Sequence, residues 1–273
     1  MTVINSNSAA LRAQNGTRLA NEQLQTAMAR LSSGQRINNA SDDAAGLAIS
    51  NSMTSQINGM NQAISNANDG VSMAQTADGA LDEVTNMLQR VRELAVQSAS
   101  GTYSDDDRTN MQAEVSLLTQ QITSSLSGTT FNGVNLFDGS AGGGTGTVSI
   151  QVGANAGDTI GLDFSAIADT TAATSVATAA DANTAMTTVD AQLKIVDTAR
   201  AKLGAAESRM NSVVNSLTDN VTNLTDAKSR ISDADFSAET TNLAKAQILS
   251  QAATAMLAQA NQTPQGVLKL LQG

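Results

Sequence analysis

Histidine, cysteine and tryptophan are absent from this 273-residue chain. Proline occurs once, at Pro264, tyrosine once, at Tyr103, and phenylalanine four times. Without His or Cys, no Ser-His, Cys-His or His-metal arrangement can form, and disulfide and thiolate chemistry are excluded. The general bases left are carboxylates, Tyr103 and lysines, and every lysine falls at or after Lys194, inside helical patterns that leave no obvious pocket. Neither an enzyme, a cofactor nor a metal site is expected. With only 2% aromatic residues, the chain cannot fill a broad interior. Its hydrophobic share, 41%, is weighted toward small side chains, which suit helices packed closely along a thin seam. The expectation is a mainly α, elongated rod.

Charge and hydropathy narrow the partners. A formal charge of -10 argues against nucleic acid, because phosphate contacts need clustered cations. No apolar run approaches the roughly 20 residues of a membrane span. The stretch from Met1 to Ala20 lacks the basic-then-apolar layout of a secretory signal.

What is present is heptads. Met53, Met60, Ala67, Ala74, Leu81, Leu88 and Ala95 are seven apart, with Ile57, Ile64 and Val71 in the partner position. After Val71 that position passes to Ala77, Val84 and Val91, the drift of a nearly straight helix read against a 3.5 repeat. One helix from Ala44 to about Ser98 follows, about 80 Å long at 1.5 Å per residue. A second heptad, Val189, Val196, Leu203, Met210, Leu217, Leu224 and Ile231, matches it in length, so an antiparallel coiled-coil pairing is the economical arrangement. Met111, Val115, Leu118, Ile122 and Leu126 form one face of a shorter helix. Ser104 followed by Asp107 gives that helix a capping-box start.

Between these helices the period falls to two. Val148, Ile150 and Val152 alternate, as do Ile160, Leu162 and Phe164, across a turn-rich GANAGD, predicting one β-hairpin. Ser165 to Ala185 is unpatterned and reads as a connector. Pro264 is expected to interrupt the last helix. Residues 1 to 33 carry Val3, Ile4, Leu11, Leu19, Leu24, Met28 and Leu31 in helical spacing. Seven large apolar side chains cannot offset the entropy of ordering some thirty residues, so this segment needs other chains to cover it. The stretch LSSGQRINNASDD reads as a joint: Leu31 ends one helix, Gly34 permits a turn, and Ser41 with Asp42 and Asp43 starts the next.

Taken together, ALRAQNGTRLANEQLQTAMARLSSGQRINNASDDAAGLAIS, QRVRELAVQSASGTYSDDDRTNMQAEV, TTFNGVNLFDG, IQVGANAGDTI and SRISDADFSAETTNLAKAQILSQAATAMLAQANQTPQGVLKLL resemble bacterial flagellins nearly everywhere outside about 140 to 190. Where many flagellins insert outer domains, this chain has only its short connector. The resemblance implies a self-assembling subunit of the helical, extracellular flagellar filament, the propeller of swimming bacteria. It implies an inner coiled coil built from both ends, residues 1–42 and 231–273, and an outer rod of 43–172 and 173–230. Leu11, Leu24, Leu31, Leu243, Ile248, Leu249, Leu257, Leu268 and Leu271 would assemble the inner coiled coil. Its partners would be copies of itself, an export chaperone, the flagellar cap and the hook-associated proteins. A hook–filament junction protein, with similar ends, is the alternative. The resemblance also marks Gln89, Arg90, Leu94, Gln97 and Glu114 as a patch that animal toll-like receptors bind on the monomer. Counted from Leu88 in steps of 100°, Arg90, Leu94 and Gln97 lie on the opposite face, so Leu94 is expected at the surface. The same patch is expected to mediate contacts between stacked subunits.

Overall fold

The computed structural model describes residues 7–164 and 174–271, with side chains as far as residue 263. In chain order the elements are α1 (Ser8–Ser33), α2 (Ala44–Ala99), α3 (Asp105–Gly128), β1 (Thr130–Phe131), β2 (Val134–Asn135), α4 (Ala141–Gly144), β3 (Thr147–Gln151), β4 (Thr159–Asp163), α5 (Ala179–Ser232) and α6 (Phe236–Leu271). They divide into two compact units, one of residues 1–55 with 223–273 and one of residues 56–222.

The 56–222 unit holds the apolar core. Along α2, both heptad rows are buried from Ala74 onward: Ala74, Leu81, Leu88 and Ala95 in one, Ala77, Val84 and Val91 in the other. Val189, Val196, Leu203 and Met210 of α5 belong to the same cluster, as do Met111, Val115 and Ile122 of α3. Rim pairs reveal the direction of α5. Arg92 meets Asp190 at 2.6 Å, Arg200 meets Asp78 and Asp82 at 2.8 and 2.9 Å, and Gln75 meets Glu207 at 2.8 Å. Partners rise along α5 as they fall along α2, so the two helices are antiparallel.

The expected hairpin is β3 with β4, in which Val148 pairs with Leu162 and Ile150 with Ile160. Ile160 and Leu162 turn into the core, and Lys202 Nζ to Asp163 Oδ2, 2.9 Å, ties β4 to α5. Gly70 lets three elements converge: a β-carbon there would stand 2.7 Å from Met210 Sδ and 3.2 Å from Ile150. A second antiparallel pair, β1 with β2, turns on Asn132 and Gly133, both at positive φ (49° and 78°). This is the backbone an Asn-Gly hairpin turn needs, a signal that the sequence reading passed over.

Three expectations change. Leu94 is not at the surface: it is 2% exposed and part of the core. Measured from Val91 rather than Leu88 it is only about 60° round the helix. It also ends a third seven-residue row, Met73, Ala80, Met87 and Leu94, which packs into the same core beside the α3 residues. Two helices cover α2 here, so its apolar stripe is wider than a two-stranded seam.

The connector is shorter than read. Residues 165–173 lie outside the described residues, but α5 begins at Ala179, where Thr178 Oγ1 accepts from the Asp181 N–H at 3.1 Å. Its first turns bury Ala182 and Ala185, alanines that extend the heptad beyond Val189 without looking apolar. Pro264 does not interrupt α6, whose backbone runs helically to Leu271.

Candidate functional site: paired ends, joint and exposed patch

α1 and α6 pack against each other within the unit of residues 1–55 and 223–273. Asn7 meets Ala260 and Asn21 meets Ser250, so the pair is antiparallel. Its seam is small. Ala20, Ala27 and Ala246 are buried, and Ala10, Ala13, Thr17, Leu24 and Leu31 fill the rest of a 3,4 spacing on α1, half-buried. Leu243, Ser250, Ala253, Leu257 and Ala260 do so on α6. At Gly16 a β-carbon would reach Ala253 Cβ at 3.9 Å, so the backbones come close there.

The residues proposed for assembly therefore separate. Leu24, Leu31, Leu243 and Leu257 lie in the seam within one chain. Leu11, Ile248 and Leu249 are exposed, Ile248 by 66%, and Leu19, Met28, Met256 and Phe236 are exposed with them. Leu268 and Leu271 lie outside the residues whose side chains are described, as do Val3 and Ile4 altogether. A helix pair normally points such side chains inward. Here the pair spends alanine on itself and presents its large apolar groups outward.

The joint is stitched by backbone polar groups. Gly34 ends α1 in the left-handed conformation, φ 70°, and its N–H donates to Arg30 O at 2.9 Å. Arg36 donates twice to the end of α5, its N–H to Ser232 O at 2.7 Å and its Nη2 to Ile231 O at 2.6 Å. Ala234 N–H returns a bond to Gly34 O at 2.9 Å, and Ile37 is buried beneath. The two aspartates divide the work expected of them jointly. Asp43 Oδ1 accepts from Gly46 N–H at 2.8 Å and so starts α2. Asp42 Oδ2 turns back and accepts from the N–H groups of Asn38 and Asn39, both at 3.0 Å. Those two amides, Asn39 first, hold its carboxyl below the usual carboxylate range. Arg36 was not singled out from the sequence, because an isolated Arg in a polar stretch carries no pattern.

In the 56–222 unit, Gln89, Arg90 and Gln97 are exposed and Glu114 is half-buried. Arg90 lies between two carboxylates: Nε donates to Glu114 at 2.9 Å and Nη1 to Glu93 at 3.0 Å. Glu114 foremost, then Glu93, raises the guanidinium pKa above its ordinary value. Leu94, from the same proposed set, is in the core. The apolar side chain exposed near Glu114 is instead Leu117, 66% exposed. Its face was legible: Val115, Leu118 and Ile122 make the seam, and Leu117 falls between them on the outside.

Comparison with known proteins adds a second line. Residues 4–142 match the bacterial flagellin N-terminal helical region and residues 186–271 the bacterial flagellin C-terminal helical region. The chain is 44% identical to a flagellin of Halalkalibacterium halodurans, covering 99% of this chain and 100% of that one. It is 40% identical to a flagellar filament 30.7 kDa core protein of Treponema maltophilum, covering 98% and 99%. Among solved structures, Bacillus cereus flagellin superposes with a TM-score of 0.52 at 30% identity, covering 60% of this chain and 94% of that one. A putative flagellar hook-associated protein of Vibrio parahaemolyticus gives 0.60 over 70% and 100%, but at 17% identity it shares the fold alone.

Proposed function

We propose a division of labour for this chain, which belongs to the bacterial flagellin family and is a structural subunit of the flagellar filament. The ends, 1–42 and 231–273, form the inner coiled coil, and 43–172 with 173–230 form the outer rod. The observation that carries this reading is the double face of the α1–α6 pair. Its alanine seam closes within one chain, while Leu11, Leu19, Met28, Ile248, Leu249 and Met256 remain outside. Neighbouring copies cover those side chains in the filament. A contact repeated head to tail without closing on itself builds an open helix. The joint at Gly34 to Asp43 connects the inner pair to the rod.

The role is structural rather than catalytic. Before assembly the exposed apolar ends are held by an export chaperone. The subunit leaves the cell through the growing flagellum and is placed with the cap and hook-associated proteins at the filament's ends. The patch of Gln89, Arg90, Gln97, Glu114 and Leu117 binds an animal toll-like receptor on the free monomer and a neighbouring subunit in the filament. Leu94 supports this patch from beneath. Seeding purified chain with filament fragments and imaging the product tests the reading: long filaments are expected, and growth that stops after a few layers would favour a junction protein. Serine in place of Ile248 and Met256 should abolish elongation while leaving the 56–222 unit folded.

A further inference from the structure

We infer that Asn7 sets the register in which the first and last helices pair, by supplying a hydrogen bond that the chain's only proline withholds. The inference rests on the reading of these helices as the assembly pair.

Asn7 stands just before α1, and its Oδ1 accepts from the Ala10 N–H at 3.0 Å, an ordinary N-cap. Its Nδ2 does something else. It donates to the backbone oxygen of Ala260, 253 positions away in the chain, at 2.7 Å. In an α-helix that oxygen accepts the N–H four residues on. Four residues after Ala260 is Pro264, which has no N–H. α6 nonetheless continues helically through Pro264, and the carbonyl that the proline leaves without its helical donor is the one that Asn7 meets. An amide has an acceptor and a donor on one short side chain, so it can cap α1 and satisfy α6 together. Aspartate would cap α1 as well but has nothing to donate.

The small residues of the seam cannot do this alone. Ala10, Ala13, Thr17, Ala20 and Ala27 on one side and Ala246, Ser250, Ala253 and Ala260 on the other are nearly alike, so in a slip of one heptad the only large apolar side chains of the seam to change partners would be Leu24, Leu31, Leu243 and Leu257. Polar contacts at unique positions break that degeneracy. After a one-heptad slip, Asn7 would face Ala253, whose helical donor, Leu257, has its N–H. Before the last turn of α6, Ala260 is where the amide finds a carbonyl without its helical donor. A second polar contact, Ser250 Oγ to Asn21 Oδ1 at 3.0 Å, agrees with the same register.

The test is a double-mutant cycle on the full-length chain, read as the critical concentration for elongating filament fragments. Asn7→Asp keeps the cap and removes the donor, and it should raise the critical concentration about tenfold, the worth of one net hydrogen bond. Pro264→Ala returns an N–H to Ala260, and in that background Asn7→Asp should change the critical concentration less than about twofold. Equal effects in both backgrounds would overturn the inference, because Asn7 would then act without reference to the proline. So would no effect of Asn7→Asp in the parent chain. Parent chain that fails to elongate the fragments would overturn the assembly reading, and this inference with it.

Discussion

The two compact units use the same heptad spacing to opposite ends. In the 56–222 unit the seven-residue rows mix alanine with Leu, Val, Ile and Met, three helices share them, and most of the large side chains in those rows pack into one core. In the unit of the chain ends, the α1–α6 seam is built from alanine, serine and threonine with an occasional leucine, and Ile248, Met256 and Leu11 are left outside. Alanine brings backbones close but removes little apolar area from water, so such a pair gains little stability alone. The first design makes a fold. The second leaves an apolar surface, the one that the proposed assembly covers with neighbouring copies. An acidic chain of formal charge -10 can carry that surface without indiscriminate clumping, since like charge opposes contact until complementary faces meet.

The largest effect expected from this contrast is the loss of both ends. A chain cut to residues 44–231 should remain a folded, soluble monomer and should never elongate filament fragments, however concentrated. Sedimentation after seeding reads this directly, and any polymer would show that the outer unit assembles unaided. The intact monomer should likewise show fast amide exchange in residues 7–33 and 240–263 and slow exchange across α2 and α5. Slow exchange at the ends would mean that the alanine seam suffices.

Single substitutions should separate the units next. Leu94→Ala removes a side chain 2% exposed from the three-helix core and should lower the stability of the monomer by about 2–5 kcal/mol in denaturant unfolding. Met256→Ala, at a side chain 66% exposed, should leave monomer stability within about 0.5 kcal/mol but raise the critical concentration for elongation. If Leu94→Ala were neutral in the monomer, the wide stripe on α2 would be wrong.

Much of this was legible in the sequence where periodicity and residue size agree. The rows through Leu81, Leu88, Val196 and Leu203, the capping box at Ser104 and Asp107, and the alternation of β4 all repeat in the structure as read. The misreadings come where one of those cues is silent. Leu94 needed knowledge of a second covering helix, because an angle measured from one residue says nothing of how many neighbours share the stripe. The first turns of α5 were hidden because Ala182 and Ala185 are small, although Thr178 followed by Asp181 is a start signal. Pro264 follows a local rule that ends a helix, and the distant amide that answers it has no sequence pattern. On α1 and α6, periodicity marks the helix but not which apolar residues face the other helix of the pair. That depends on where the alanines lie.

A smaller effect is expected at Gln192, inside α5. Its side chain is 5% exposed, and neither its Nε2 nor its Oε1 has a hydrogen-bond partner among the described residues. A polar pair buried in a heptad core lowers stability by leaving its donors and acceptors unanswered. Gln192→Leu keeps the length and removes the polar atoms, and it should raise the denaturation midpoint of the 56–222 unit by an amount equal to about 1–2 kcal/mol. No rise, or a fall, would mean that bound water satisfies the amide. The substitution should leave the critical concentration for elongation unchanged, since the residue is buried within the 56–222 unit.

The smallest effect distinguishes the units by protons. Asp107 caps α3 within the 56–222 unit. Its carboxyl accepts from the Ser104 hydroxyl at 2.7 Å and from the Ser104 N–H at 3.0 Å, and these bonds, the hydroxyl's foremost, hold its pKa below the ordinary value. Asp42 is held low in the same direction by the N–H groups of Asn39 and Asn38, but it lies in the joint, within the unit of the ends. A folded pKa below the unfolded one favours the folded state above the unfolded pKa, about 3.9 for Asp, and that contribution is lost as pH falls through the folded value. In the free monomer, carboxyl chemical shifts followed from pH 6 to pH 2 should show Asp107 titrating below about 3.9. Asp42 should be less depressed in the same sample, because the joint that aligns its two amides belongs to the unit of the ends. Asp107→Asn should flatten the acid limb of the monomer's stability, and Asp42→Asn should not. Should Asp42 titrate as low as Asp107 before assembly, the joint is formed in advance of the filament, and the boundary between the self-sufficient unit and the dependent one lies closer to the chain's ends, at Gly34 rather than Asp43.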